Sequence, residues 1–227
     1  MPLSPGLHLL TPTLPVHVFD ADRPGPTAII EAGIHGDEIA GVHAISELLE
    51  EGLRPTFGRL ILIPVMNPPA YRARTRAAPG GLDLNRVFPG DPSSPERERR
   101  LAAAFMALMR DERPRLLATL HESHKRYSPD VNPSFGQSLV YGVETCPPLL
   151  ERVVDRLNAN LQSEEERWAT QCFIVPTSST EVIVDAIGCI GVCVETWMGF
   201  PEARRIAMQR EVVAGLLHEI GVLPVPT

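Results

Sequence analysis

The sequence predicts a single α/β domain, with a mixed, mostly parallel central sheet and helices on both faces. Three observations carry this. Short apolar runs alternate with stretches of helical spacing from end to end. The chain has 227 residues, the size of one large domain able to bury a full core. No repeat, low-complexity tract or long linker divides it, so residues 1–227 read as one unit.

Candidate strands are Val16–Asp20, Thr27–Ala32, Leu60–Val65, Leu116–His121, Ser138–Tyr141, Gln171–Val175 and Cys189–Glu195. Each is short, apolar and bounded by Gly, Pro or polar residues. Candidate helices are Asp37–Glu51, Ser94–Glu112, Pro148–Gln162 and Pro201–Ile220. The first sets Ile39, Val42, Ile45 and Leu49 near one face. The second opens on Ser94 as a cap, with Pro95 in the first turn. Between Pro68 and Pro95 the chain is rich in Arg, Gly and Pro and weakly periodic, which reads as a long, functional loop.

Composition excludes several classes. A net charge of −7 argues against a nucleic-acid partner. No apolar run is long enough for a membrane span. The opening MPLSPGLHLLTPTLP lacks a positive flank and is broken by prolines, so it reads poorly as a signal peptide, and the expected compartment is the cytoplasm. Four scattered cysteines read as buried thiols and not as a disulfide framework. Oligomeric state is not readable.

Two histidines stand beside carboxylates at the ends of apolar runs. His35 lies in the turn after a strand, and Glu38 is expected in the first turn of the next helix, so both side chains can converge on one ion. His121 ends a second strand. Two imidazoles and one carboxylate suit a catalytic zinc ion and leave one position for water. Glu195 ends a third apolar run, where it can serve as a general base. His35, His121 and Glu195 all fall at the carboxyl ends of strands, the rim where open α/β sheets bind ligands. An HxxE pair alone also arises by chance, and a histidine ending a strand is often only a core residue. His43 falls two turns down the same helix and His124 in a polar loop, and neither is expected as a ligand. Arg72, Arg74, Arg76 and Arg86, with Asn85, form a cationic loop in an acidic chain. An arginine fork beside an amide suits a substrate carboxylate, and a further arginine near the metal would stabilise an oxyanion.

The segments GIHGDE, NPPAYRARTR, DLNRVFPG, LHES and VET, in that order, resemble the zinc carboxypeptidase superfamily, in its succinylglutamate desuccinylase/aspartoacylase branch. The resemblance runs from Ala28 to Gly199. It implies a zinc-carboxypeptidase-like fold and one zinc ion held by His35, Glu38 and His121. It implies Asn85 and Arg86 on the substrate carboxylate and Glu195 as general base. Arg76 best matches the oxyanion arginine, with Arg74 a competitor because Gly80-Gly81 lengthen the spacing. No tyrosine has a secure match; Tyr127 and Tyr141 are available. Few residues follow Glu195, so the site-narrowing β-rich domain of aspartoacylase-like members has no counterpart and a site open to peptides is expected.

The implied activity is zinc-dependent hydrolysis of an amide in a carboxylate-bearing substrate. An N-acyl amino acid deacylase and a metallocarboxypeptidase acting on a peptide C-terminus both stay open. A zinc-containing peptide-binding module without turnover is the alternative of another class.

Overall fold

A computed structural model describes residues 1–159, 161 and 163–224. Eight strands form one sheet: β1 (Gly6–Thr11), β2 (Leu14–Asp20), β3 (Thr27–Ala32), β4 (Arg59–Ile63), β5 (Leu116–Ser123), β6 (Ser138–Tyr141), β7 (Ala169–Cys172) and β8 (Ile190–Trp197). Their order is β1-β2-β4-β3-β5-β8-β6-β7. The centre, β4-β3-β5-β8, is parallel, while β1-β2, β2-β4 and β8-β6 pair antiparallel.

The helices are α1 (Ala40–Glu50), α2 (Pro68–Ala73), α3 (Arg97–Glu112), α4 (Pro148–Asn158), α5 (Ser179–Ile187) and α6 (Glu202–Glu219). Side chains alternate across a strand, so each central strand feeds two cores. On one face Leu116, Ala118 and Leu120 of β5 pack with Val42 and Ile45 of α1, Val153 of α4 and Val212 and Leu216 of α6. On the other, Ile29 and Leu117 pack with Leu101, Phe105 and Met109 of α3 and Ile183 of α5. The expected two-sided α/β layering is what the chain adopts.

Several elements differ from expectation. Leu7 and Leu9 of β1 are 64% and 65% exposed, so this edge strand carries a weak apolar signature and is held by pairing with β2. Helix α5 was also not expected; Ser178 caps it by accepting the Glu181 N–H, and Gly188 ends it at φ 74°. The strand expected over Gln171–Val175 sits earlier, because pairing with β6 sets its register. Within the long arginine loop, α2 and a 3-10 turn at Leu84–Arg86 supply local structure. The α3 helix starts at Arg97, and Ser94 instead accepts the Glu96 N–H in the turn before it. Asn160 and Gln162, at the end expected for α4, lie outside the described residues.

Helix α1 begins only at Ala40, whose N–H donates to Glu122 Oε2 at 2.9 Å. Glu38 therefore precedes the helix, in the turn that holds His35, and not in its first turn. Among the described residues no helix is long and apolar enough to cross a membrane.

Candidate metal centre and substrate cleft

Strand register builds the site. His121 of β5 pairs directly with Glu195 of β8. Both point to the α3/α5 face, opposite Leu120 and Val194, which enter the other core. One step back along the same face, Glu31, Thr119 and Cys193 form a second row across β3, β5 and β8. The turn after β3 brings His35 and Glu38 over the end of this face.

Glu38 lies between the two imidazoles. His35 Nδ1 donates to its Oε1 at 2.7 Å, and His121 Nδ1 to its Oε2 at 2.6 Å. The three side chains are buried, and one ligand atom from each lies within 4.8 Å of the others. Burial opposes charge on Glu38, but His35 and His121 outweigh it and hold its carboxyl well below the ordinary range. Burial likewise opposes charge on His35, yet Glu38 and Asp83 raise it to about 9. Burial opposes charge on His121 too, and the Glu38 carboxylate raises it. Two borderline nitrogen donors and a carboxylate, converging and buried, suit zinc. His121 Nε2 and Glu195 Oε2 are buried without a partner among the described residues, so the polar groups here are not fully satisfied by the protein itself.

Asp83, which sequence reasoning read only as part of a loop, ties the site together. It accepts from His35 Nε2 at 3.3 Å and from Arg76 Nε at 2.9 Å, and its Oδ1 also accepts the Asn85 N–H. A carboxylate on the outer nitrogen of a ligating histidine fixes the ring and its tautomer. Arg76 lines the cleft, with Nη1 3.7 Å from Glu38 Oε1. Arg74 does not: its left-handed backbone (φ 53°) turns the guanidinium onto the Tyr71 ring, 4.5 Å from the centroid.

Asn85 and Arg86 also line the cleft. Asn85 Oδ1 accepts from Ser179 N–H and Oγ–H at 2.9 and 3.2 Å, leaving the Nδ2 group as donor. The Arg86 guanidinium pairs with no carboxylate among the described residues; its one recorded bond goes to the Asn85 carbonyl. Glu195 is half-buried with its Oε2 enclosed, and desolvation raises its carboxyl to about 7 despite the opposing charge of His121. Cys193 Sγ donates to Glu195 Oε1 at 3.6 Å. Burial pushes that thiol up to about 11, so it is a neutral donor.

The cleft, about 350 Å³, is walled on its far side by Phe135, Val140, Phe173 and Val175. His124 lines it, while His43, Tyr127 and Tyr141 do not. Glu181 and Lys125, neither singled out from the sequence, line it too. The SSTE pattern at 178–181 was the available signal for the first.

Residues 24–127 match the family model of the succinylglutamate desuccinylase/aspartoacylase catalytic domain. The match takes in GIHGDE, the arginine loop and His121, and it supports the resemblance read from the motifs to the succinylglutamate desuccinylase/aspartoacylase branch of the zinc-carboxypeptidase-like superfamily. An N-alpha-acetyl-L-2,4-diaminobutyric acid deacetylase of Halomonas elongata is 43% identical over 77 residues, which is 33% of this chain and 22% of the relative. Cell shape determinant protein Csd4 of Helicobacter pylori superposes with a TM-score of 0.83 at 17% identity, over 93% of this chain and 55% of Csd4. Csd4 is described, in an mDAP-bound form, as a D,L-carboxypeptidase. A succinylglutamate desuccinylase/aspartoacylase from Rhodobacter sphaeroides gives a TM-score of 0.72 at 24% identity, over 93% and 60% of the two chains. These structures share the fold. The chain spans about half the length of the structural relatives and about a fifth of the deacetylase.

Proposed function

We propose that the protein hydrolyses an amide bond in a carboxylate-bearing substrate, with one zinc ion held by His35, Glu38 and His121. What carries this reading is the convergence of those three side chains at the strand ends, with Glu195 facing His121 in register. When bound, zinc supplies an acidified water and a Lewis acid for the scissile carbonyl. The carboxyl of Glu195, raised by burial towards neutrality, takes a proton from the attacking water and returns it to the leaving nitrogen. The bond between carbonyl carbon and nitrogen breaks, and a carboxylate and an amine leave. Arg76, whose guanidinium approaches Glu38, stabilises the oxyanion; the stacking of Arg74 on Tyr71 favours Arg76 for that role. Arg86 and the Asn85 amide hold the substrate carboxylate.

The leading substrate is an N-acyl amino acid, supported by the 43% identity to a diaminobutyric acid deacetylase. A carboxypeptidase acting on a peptide C-terminus is the second reading, favoured by the fold likeness to Csd4. The whole chain is read as one catalytic domain. Four free thiols fit the expected cytoplasmic setting. The test is a screen of N-acyl amino acids against short peptides, with zinc-loaded and chelator-treated protein. Turnover restored by zinc is expected. A protein that neither contains nor takes up stoichiometric zinc would sink the reading.

A further inference from the structure

Glu181 is a carboxylate in the cleft without a partner. The residue is only 9% exposed, yet it lines the same cavity as the metal-ligand candidates. Its sequence context supplies a bland role, because Ser178-Ser179-Thr180-Glu181 is a capping box in which the glutamate should accept the Ser178 N–H. Only half of that box forms. Ser178 Oγ accepts the Glu181 N–H at 3.3 Å, but the Ser178 N–H donates to the Val175 carbonyl at 2.9 Å. The Glu181 carboxylate makes no hydrogen bond and no ion pair with any described residue. Asp185, one helical turn on, carries the same charge. Burial first, and Asp185 second, raise the Glu181 carboxyl, as befits an acid without a counter-ion.

The surroundings are shaped for this carboxylate. It packs on Gly142, where an added Cβ would stand 1.7 Å from its Oε1. Any side chain at 142 would occupy the carboxylate's place. Val140 of β6, two residues before Gly142, and Phe173 line the cleft beside it, and Phe173 is held edge-on by Phe135 at 4.9 Å. Apolar walls therefore lead to an uncompensated negative charge. The carboxylate oxygens open into the cleft and are not sealed in the core, so a bound cation could supply the partner that the protein does not.

We propose that Glu181 forms the end of a side-chain subsite, selecting substrates that carry an ammonium group on a short aliphatic stem. This rests on the amide-hydrolase reading and narrows its substrate class. The test uses the zinc-loaded protein and matched pairs of N-acetyl amino acids: ornithine against norvaline, and lysine against norleucine. The same pairs are also presented as C-terminal peptide residues. Wild type should prefer the ammonium member of each pair in kcat/KM, and E181Q should reduce that ratio about 10-fold or more. E181K should shift preference towards acidic side chains. A neutral preference in wild type, or an unchanged ratio in E181Q, overturns the proposal while leaving the hydrolase reading intact. If no amide is cleaved, the hydrolase reading fails, and calorimetric titration of lysine against norleucine decides the subsite alone. Equal binding of the two by wild type, or an equal preference in wild type and E181Q, overturns it.

Discussion

Replacing Gly36 with alanine tests whether the ligand turn is held by backbone packing. Gly36 sits between His35 and Glu38. A Cβ there would lie 2.0 Å from the carbonyl carbon and oxygen of Ala70 and 2.3 Å from the Tyr71 nitrogen. Carbon atoms in comfortable contact stand about 3.5–4.0 Å apart, so the two segments must separate by roughly 1.5 Å. All the opposing atoms are backbone, so no rotamer change relieves the clash. The Gly36 N–H also donates to the Thr75 carbonyl at 3.0 Å, so the displacement reaches the loop that carries Arg76. Overpacking of this kind costs about 1–3 kcal/mol, and a chain of this size loses about 2–4 °C in Tm per kcal/mol. The larger effect falls on the site, because a displacement of about 1 Å costs on the order of 100-fold in rate. G36A should therefore melt earlier, bind zinc more weakly in competition with a chromogenic chelator, and turn over poorly. Gly52 serves as control: it has φ 76° but nothing within 4 Å of an added Cβ. G52A should cost about 1 kcal/mol of backbone strain and leave zinc affinity unchanged. A G36A protein with wild-type Tm and zinc affinity would refute the rigid-turn argument.

Three further outcomes are expected. E195Q should keep stoichiometric zinc by elemental analysis while kcat falls about 100- to 10,000-fold; retained kcat removes Glu195 from the mechanism. R86A should raise KM about 10-fold or more for carboxylate-bearing substrates, with little change for amidated ones, and equal loss on both contradicts the carboxylate clamp. Glu31 is fully buried, neither of its oxygens has a partner among the described residues, and burial raises its carboxyl from 4.5 to about 7. In metal-free protein the folded state thus holds a proton that the unfolded chain releases, so this contribution is complete below pH 4.5 and is lost as pH rises through about 7. The loss is about 3 kcal/mol by pH 8. Urea unfolding at pH 5 and pH 8 should show E31Q less pH-sensitive than wild type, and identical slopes would count against the buried charge.

Much of the fold was readable because its signal is local. Thr27–Ala32 and Ser138–Tyr141 were expected with the bounds they have. Both are apolar runs between strong breakers, and Thr27–Ala32 is buried at the sheet centre. The edge strands were not readable in the same way. Exposed leucines weaken β1, and β7 takes its register from β6 and not from its own apolar residues. Helix α5 escaped notice because its β-branched Thr180, Val182, Ile183 and Val184 read equally as strand. The start of α1 at Ala40 depends on Glu122, which is 82 residues away.

The residue types and their places at strand ends were determined by the sequence alone: His35, Glu38, His121 and Glu195 stand out as candidate metal donors and a candidate base because polar chemistry interrupts apolar runs. Alternation along a strand is local geometry, so it could be anticipated. Tertiary structure decided the rest. The order β3-β5-β8 lays His121 against Glu195 and brings the turn with His35 and Glu38 over them. A left-handed backbone at Arg74 sends that arginine to Tyr71, while Arg76 turns to Asp83. The roles of Asp83, Cys193 and Glu181 depend on neighbours from 48 residues away for Asp83–His35 to only 2 for Cys193–Glu195. The Asp83–His35 bond and the packing of Glu181 on Gly142 join distant segments, which no local pattern encodes, while the Cys193–Glu195 bond is local.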